Sequence, residues 1–186
     1  KDGVLGRGGF GTVYLAHDRT LDRDVALKLL SPRRAAAMID PGYGKFLAEA
    51  RTIARLDHPN IVPVYDAGIH EGRPWIAMRI VRGESLATTL AREKRLDPVR
   101  AIGMLELIAR ALGHAHRRGV VHRDVKPANV VTERSESGAE HPWLLDFGVA
   151  RVSAGESTWG ERAVAGTPST ITNGGTSWFT FEKPPM

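Results

Sequence analysis

The sequence predicts an α+β fold in two parts, a strand-rich stretch containing one helix and then a mainly helical stretch. Three observations carry that expectation. Short apolar runs of strand character dominate residues 1–81, a glycine-rich turn separates the first two of them, and a long helical stripe begins only after Asp97-Pro98. The chain has 186 residues, 42% of them hydrophobic, which is enough to bury a core.

Gly6-Arg7-Gly8-Gly9-Phe10-Gly11 is followed by the alternating Thr12-Val13-Tyr14-Leu15-Ala16. A dinucleotide-binding reading would require a helix directly after the glycines. The residues that follow have strand character instead, so the glycines are read as a hairpin turn whose backbone N–H groups can approach phosphates closely. Val25 to Leu30 is a mostly apolar strand carrying one charge, Lys28. That ammonium either reaches solvent along its alkyl stem or holds phosphates in a cleft. Pro32 and Pro41-Gly42 bracket a linker, after which Lys45 to Leu56 is read as a helix burying Phe46, Ile53 and Leu56. Glu49 lies one turn before Ile53 on the same side. Its carboxylate is either a partner for a buried cation or an exposed i,i+4 helper.

His58-Pro59-Asn60 ends that helix, and strands are expected over Ile61–Tyr65 and Trp75–Val81, joined by a loop containing Gly68 and Gly72. Arg82 to Ser85 reads as a turn, with Ser85 capping a helix through Leu86, Leu90 and Ala91. The boundary between the two parts falls near Ile80 to Gly83. Asp97 and Pro98 then supply the N-cap and N1 of a long helix. Its expected buried stripe is Ile102, Leu105, Ile108, Ala109 and Leu112, and Gly119 closes it. His114 and His116 are read as helix-face residues, because no third ligand is spaced for a metal.

The polar stretch His122-Arg123-Asp124-Val125-Lys126-Pro127-Ala128-Asn129 places a carboxylate, an ammonium and a carboxamide within six residues. Asp124 can accept a proton from an attacking hydroxyl, Lys126 can neutralise a transferring phosphoryl group, and Asn129 offers an oxygen to a hard cation. Val130-Val131-Thr132 and Trp143-Leu144-Leu145 read as strands joined by a polar hairpin over 133–142. The second delivers Asp146-Phe147-Gly148, so that Asp124, Asn129 and Asp146 would meet at one rim as oxygen ligands.

With no cysteine there is neither a disulfide framework nor a thiolate metal site. No apolar run reaches the ~18 residues that span a bilayer, and no signal-peptide pattern opens the chain. The net charge of +5 is spread along the chain among acids, so no nucleic-acid partner is expected.

The glycine turn, the strand lysine, the helix glutamate, the H-R-D-x-K-P-x-N stretch and Asp-Phe-Gly occur in that order. Together they resemble the protein kinase family. Lys126 and Gly166-Thr167-Pro168 resemble its serine/threonine branch. Gly6 to Asp18 and Asp57-His58-Pro59-Asn60-Ile61-Val62 resemble bacterial kinases of the eukaryotic-like type. The resemblance implies a bilobal fold, with a β-rich N-lobe over 1–81 that begins inside its first strand and a partial, mainly helical C-lobe over 82–168. It also implies a set of roles. Gly6, Gly8 and Gly11 would line the lid over the ATP phosphates. Lys28, held by an ion pair with Glu49, would contact the α- and β-phosphates. Leu5, Val13, Ala26 and Val131 would sandwich the adenine beside Met78 at the gatekeeper position, with the backbone of Arg79 and Val81 bonding its edge. Asp124 would deprotonate the substrate hydroxyl, Lys126 would stabilise the γ-phosphoryl group, and Asn129 and Asp146 would hold Mg²⁺.

The implied activity is transfer of the ATP γ-phosphoryl group to a protein Ser or Thr hydroxyl, in the cytoplasm or in a cytoplasmic domain of a longer membrane protein. A nucleotide-binding pseudokinase is the alternative reading. A small-molecule phosphotransferase of the same fold is a further one, against which Lys126-Pro127 and Gly166-Thr167-Pro168 stand. Arg123 suggests control by phosphate on the loop after Gly148, with Ser153, Ser157 and Thr158 as candidate acceptors. Beyond Pro168 the family pattern is lost, the remaining C-lobe helices are not expected, and the Gly, Thr and Pro content of 169–186 predicts a disordered tail.

Overall fold

A computed structural model describes residues 3–36, 42–147, 170–173 and 176–181. The chain divides into two units. One comprises Lys1–Arg51, Val64–Ile80 and Val149–Met186, and the other Thr52–Pro63 and Val81–Gly148.

The first unit is built on one antiparallel sheet. Strands β1 (Val4–Gly8) and β2 (Gly11–Asp18) form the expected glycine hairpin, with Gly8 opposite Gly11. Strand β3 (Arg23–Leu30) pairs with β2 on one side and with β5 (Arg73–Met78) on the other, and β4 (Val64–His70) completes that flank. The period-2 alternation of β3 separates two faces. Val25, Leu27 and Leu29 pack with Ala16, Trp75 and Ala77 in a buried cluster, against which Tyr14 lies. The opposite register carries Ala26 beside Leu15 and Met78, and Lys28 beside Val13 and Ile76.

Several expectations are corrected here. The bracketed linker contains a short helix, α1 (Pro32–Ala36), with Pro32 in its first turn, where a missing N–H costs nothing. The next helix, α2 (Gly42–Ala54), starts three residues before Lys45 and buries Phe46 and Ile53 as expected; Leu56, just beyond it, is buried too. Gly68 is not in a loop but inside β4, directly opposite Trp75. A Cβ there would stand 2.6 Å from the indole ring, so Gly68 provides the space in which Trp75 packs. The turn is instead Glu71-Gly72, both at positive φ. Residues 169–186, expected to be disordered, contribute β9 (Thr170–Asn173) and β10 (Thr176–Phe181), and β10 pairs with the Ala16–Asp18 end of β2. The backbone order across the sheet is β4-β5-β3-β2-β10-β9, with β1 also on β2.

The second unit has a small sheet of β6 (Gly83–Ser85), β7 (Val130–Arg134) and β8 (Glu140–Leu144), in that order. The expected turn at 82–85 is therefore a strand. A Cβ on Gly83 would meet the Thr132 carbonyl at 2.1 Å, which is the close approach that lets so short a strand pair. Residues 61–63 do not join a strand with 64–65. Ile61 forms an isolated parallel bridge with Leu144 instead. The β7–β8 ladder continues to Arg134 and Glu140, so the polar hairpin between them is only five residues long.

Helix α3 (Leu86–Glu93) is capped by Ser85, whose Oγ accepts from Thr88 N at 3.1 Å, and α4 (Pro98–His116) by Asp97, whose Oδ1 accepts from Arg100 N at 3.0 Å. The Arg100 guanidinium grips Glu140 with two bonds of 2.7 and 2.8 Å, joining α4 to β8. The buried stripe of α4 is Met104, Ile108, Ala111 and Ala115. Ile102 and Leu105, expected in it, are 67% and 64% exposed and form a second apolar stripe with Val99.

Candidate active site

In the first unit the glycine hairpin, Lys28 and Glu49 are positioned by the sheet and α2. Gly11 is required by packing, since a Cβ would come within 2.1 Å of the Leu29 carbonyl oxygen. A Cβ on Gly6, Gly8 or Gly9 would meet nothing within 4 Å. Packing against the described residues therefore does not account for these three, and the space over them is open to a group from outside. Lys28 does not reach solvent. It is buried, at 9% exposure, on the sheet face that also carries Val13, Ala26 and Met78. A buried ammonium needs an opposite charge. Glu49 is half-buried on α2 with Oε2 shielded from water. Leu5 is exposed at 52%, and Arg79 follows Met78 just past the end of β5.

In the second unit the catalytic-loop candidates form one hydrogen-bonded cluster. Asp124 Oδ2 accepts from Lys126 Nζ at 2.7 Å and from Asn129 Nδ2 at 3.1 Å, and the Asp124 carbonyl accepts from the same Nδ2 at 2.8 Å. Both bonds to Asp124 use the amide nitrogen of Asn129, which leaves its Oδ1 as an acceptor or cation ligand. A 3-10 turn over Pro127–Asn129 places that side chain, buried at 7% exposure, immediately before β7. The Asn129 carbonyl accepts from Leu145 N at 2.9 Å, so the residue before Asp146 is fastened to the cluster. Val131 is half-buried on β7, and Val81 precedes β6.

Sequence reasoning assigned no role to His122, and the structure gives it one. The ring is 1% exposed, packs 4.6 Å from Phe147, and bonds through Nε2 to the Leu145 carbonyl at 2.8 Å. Asp124 N donates to its Nδ1 at 3.3 Å, so the neutral ring carries its proton on Nε2. Burial holds its pKa below the ordinary histidine value, with the bond to Leu145 and the charges of Asp146 and Asp124 opposing. His122 thus fixes the loop of Asp124 and the strand end before Asp146 to each other. Its burial and its place two residues before Asp124 are the signals that identify it. Arg123 and Asp146 both have left-handed backbones, with φ of 61° and 58°. Such conformations cost a non-glycine residue roughly 1 kcal/mol or more and persist only where the surroundings impose them. Ser153, Ser157 and Thr158 lie outside the described residues.

Asn129 Oδ1 and the Asp146 carboxylate are hard oxygen donors of the kind Mg²⁺ takes, the remaining positions being filled by water and phosphate oxygens. The donor set therefore fits that ion. Among the described residues no helix is long and apolar enough to cross a membrane.

Comparison with known proteins places this geometry. Residues 1–179 match the family model described as protein kinase domain. The serine/threonine-protein kinase PknJ of Mycobacterium tuberculosis is 44% identical over 148 residues, covering 80% of this chain and 25% of that protein. PknE of the same organism is 40% identical over 154 residues, covering 82% and 26%. The chain thus spans about a quarter of the length of these curated relatives. Among solved structures, the Mycobacterium tuberculosis PknI kinase domain superposes with a TM-score of 0.68 at 39% identity, covering 78% of this chain and 58% of that one. Rad53 superposes with a TM-score of 0.67 at 26% identity, covering 80% and 38%. Motifs, fold and matched length agree: this chain belongs to the protein kinase family, and the mycobacterial relatives PknJ and PknE place it with bacterial serine/threonine kinases of the eukaryotic-like type.

Proposed function

We propose that the chain carries the catalytic machinery of a serine/threonine protein kinase, cytoplasmic or a cytoplasmic domain of a longer membrane protein, transferring the γ-phosphoryl group of ATP to a protein Ser or Thr hydroxyl. The observation that carries this reading is the Asp124–Lys126–Asn129 cluster. One carboxylate is held by a carboxamide and paired at 2.7 Å with an ammonium. Asp124 accepts the substrate hydroxyl proton at its carboxylate, and its hydrogen bonds to Asn129 orient it for that. Lys126, 44% exposed, swings between Asp124 and an arriving phosphoryl oxygen. Lys28, held by an ion pair with Glu49, contacts the α- and β-phosphates, and Gly6, Gly8 and Gly11 bring backbone N–H groups over them. Leu5, Val13, Ala26, Val131 and Met78 take the adenine, with the main chain of Arg79 and Val81 at its edge. When bound, Mg²⁺ at Asn129 and Asp146 neutralises charge on the phosphates. The Rad53 structure is a complex with AMP-PNP, an ATP analogue, which supports the nucleotide assignment.

The test is radiolabelled γ-phosphoryl transfer to a Ser- and Thr-containing protein, beside Mg²⁺-ATP binding by thermal shift. Asp124→Asn is expected to lose at least about 100-fold in transfer while keeping the nucleotide-induced shift. Lys28→Met and Asp146→Asn are expected to lose the shift itself. Nucleotide binding by the parent chain without transfer would favour the pseudokinase reading.

A further inference from the structure

The second unit holds another group of titratable side chains, where residues 57–62 meet the C-terminal end of α4. The rings of His58 and His114 lie with centroids 5.1 Å apart, tilted by 58°. His58 Nδ1 accepts from Asn60 N at 3.1 Å. His114 Nδ1 lies 3.3 Å from Nη1 of Arg118, which can only donate. Both rings therefore present Nδ1 as an acceptor and carry their single proton on Nε2. His114 Nε2 is buried and has no hydrogen-bond partner among the described residues.

Asn60, 3% exposed, passes this arrangement on to β8. Its Nδ2 donates to the Pro142 carbonyl at 2.8 Å, and its own carbonyl accepts from Leu144 N at 2.8 Å. Val62 N donates to the Leu144 carbonyl at 3.1 Å, and His141 Nε2 bonds to the Pro59 carbonyl at 2.8 Å. Strand β8 thus hangs from the 59–62 segment, and two residues past Leu144 it becomes Asp146.

A second proton on either ring would turn its Nδ1 acceptor into a donor, facing an N–H at Asn60 or a guanidinium at Arg118. It would also set a positive charge beside the other imidazole and beside Arg117. For both rings burial is the main force holding the pKa below the ordinary value. For His58 the charges of His114 and Arg117 add to it, for His114 those of Arg118 and Arg117, and Asp57 opposes in each case.

We propose that His58 and His114 are positioning residues for Asp146, acting through Asn60 and β8, and that mild acid releases the strand they brace. The proposal rests on the role of Asp146 given above. Its sign follows from linkage. The unfolded histidines titrate near about 6.5 and the native pair lower, so as pH falls below about 6.5 the unfolded chain takes up protons first and stability is lost. Well above that value, where the rings are neutral in both states, the pair contributes no pH dependence.

The test compares the chain with a His58→Asn/His114→Phe variant by thermal denaturation without nucleotide, from pH 7.5 to 5.5. Asn at 58 keeps a side-chain oxygen for the Asn60 N–H and does not titrate. The parent chain is expected to lose at least about 3 °C more than the variant over that interval; equal losses overturn the proposal. Should the variant be unfolded at pH 7.5, NMR titration of the parent imidazoles decides. Midpoints below 6.5 for both rings are expected, and a midpoint at or above 6.5 for either overturns it. Mg²⁺-ATP affinity between pH 7.5 and 6 is then expected to fall at least about threefold further in the parent than in the variant. Absence of Mg²⁺-ATP binding at pH 7.5 counts against the kinase reading, whereas the denaturation and NMR results judge the brace independently.

Discussion

Gly8 and Gly11 stand at the two ends of one hairpin turn, and their surroundings predict opposite phenotypes. Gly8→Ala adds a methyl group to open space, whereas Gly11→Ala drives one into the Leu29 carbonyl at 2.1 Å. Gly11→Ala is therefore expected to lower stability by about 2 kcal/mol or more, and Gly8→Ala to stay within about 0.5 kcal/mol. Denaturant melts of both variants check this. Because no described residue packs against a Cβ at Gly8, its substitution should register instead as weaker Mg²⁺-ATP binding. A Gly11→Ala variant as stable as the parent would show that β2 and β3 can separate there at no cost. Lys28 shows where the sequence stops short at this scale. Whether it reaches solvent depends on Val13 and Ile76, its neighbours on the adjoining strands, and no local window holds both. His122 was overlooked for a related reason, since its partner Leu145 lies 23 residues away.

Among the elements, the helix caps and the glycine hairpin were legible, because their chemistry is local. Ser85 and Asp97 accept the N–H bonds expected of them, and the glycine hairpin closes where the spacing places it. The face of α4 was not legible, since the helix carries apolar residues on two sides and periodicity alone cannot rank them. Ile108 is 6% exposed and Ile102 is 67% exposed. Ile108→Ala is expected to cost about 2–5 kcal/mol through lost burial and a cavity. Ile102→Ala should cost well under about 1 kcal/mol, allowing for the lower side-chain entropy of alanine. Paired thermal melts measure both, and a larger loss at Ile102 would mean that its face is covered in solution. Strand β6 escaped notice because three residues give no alternation to read; only its partner Val131–Glu133 makes it a strand.

At the scale of the molecule, the membership of the protein kinase family could be read from the chain. Composition misled at its end, where Gly, Thr and Pro suggested a disordered tail and the described residues 170–173 and 176–181 instead add β9 and β10 to the first sheet. The assignment of Thr52–Pro63 to the second unit was beyond local reading, because it rests on bonds from Asn60 to residues more than 80 positions later. That interleaving has a consequence for how the protein comes into being. A ribosome adds about 5–20 residues per second. Asn60 therefore waits on the order of 4–16 s after its own synthesis before Pro142, 82 residues downstream, exists to receive its side chain. Through that interval the 57–62 segment has no β8 to hold. A cut at the visible junction near residue 80 would make the separation permanent, leaving one product with an unmatched segment and the other with a strand lacking its support.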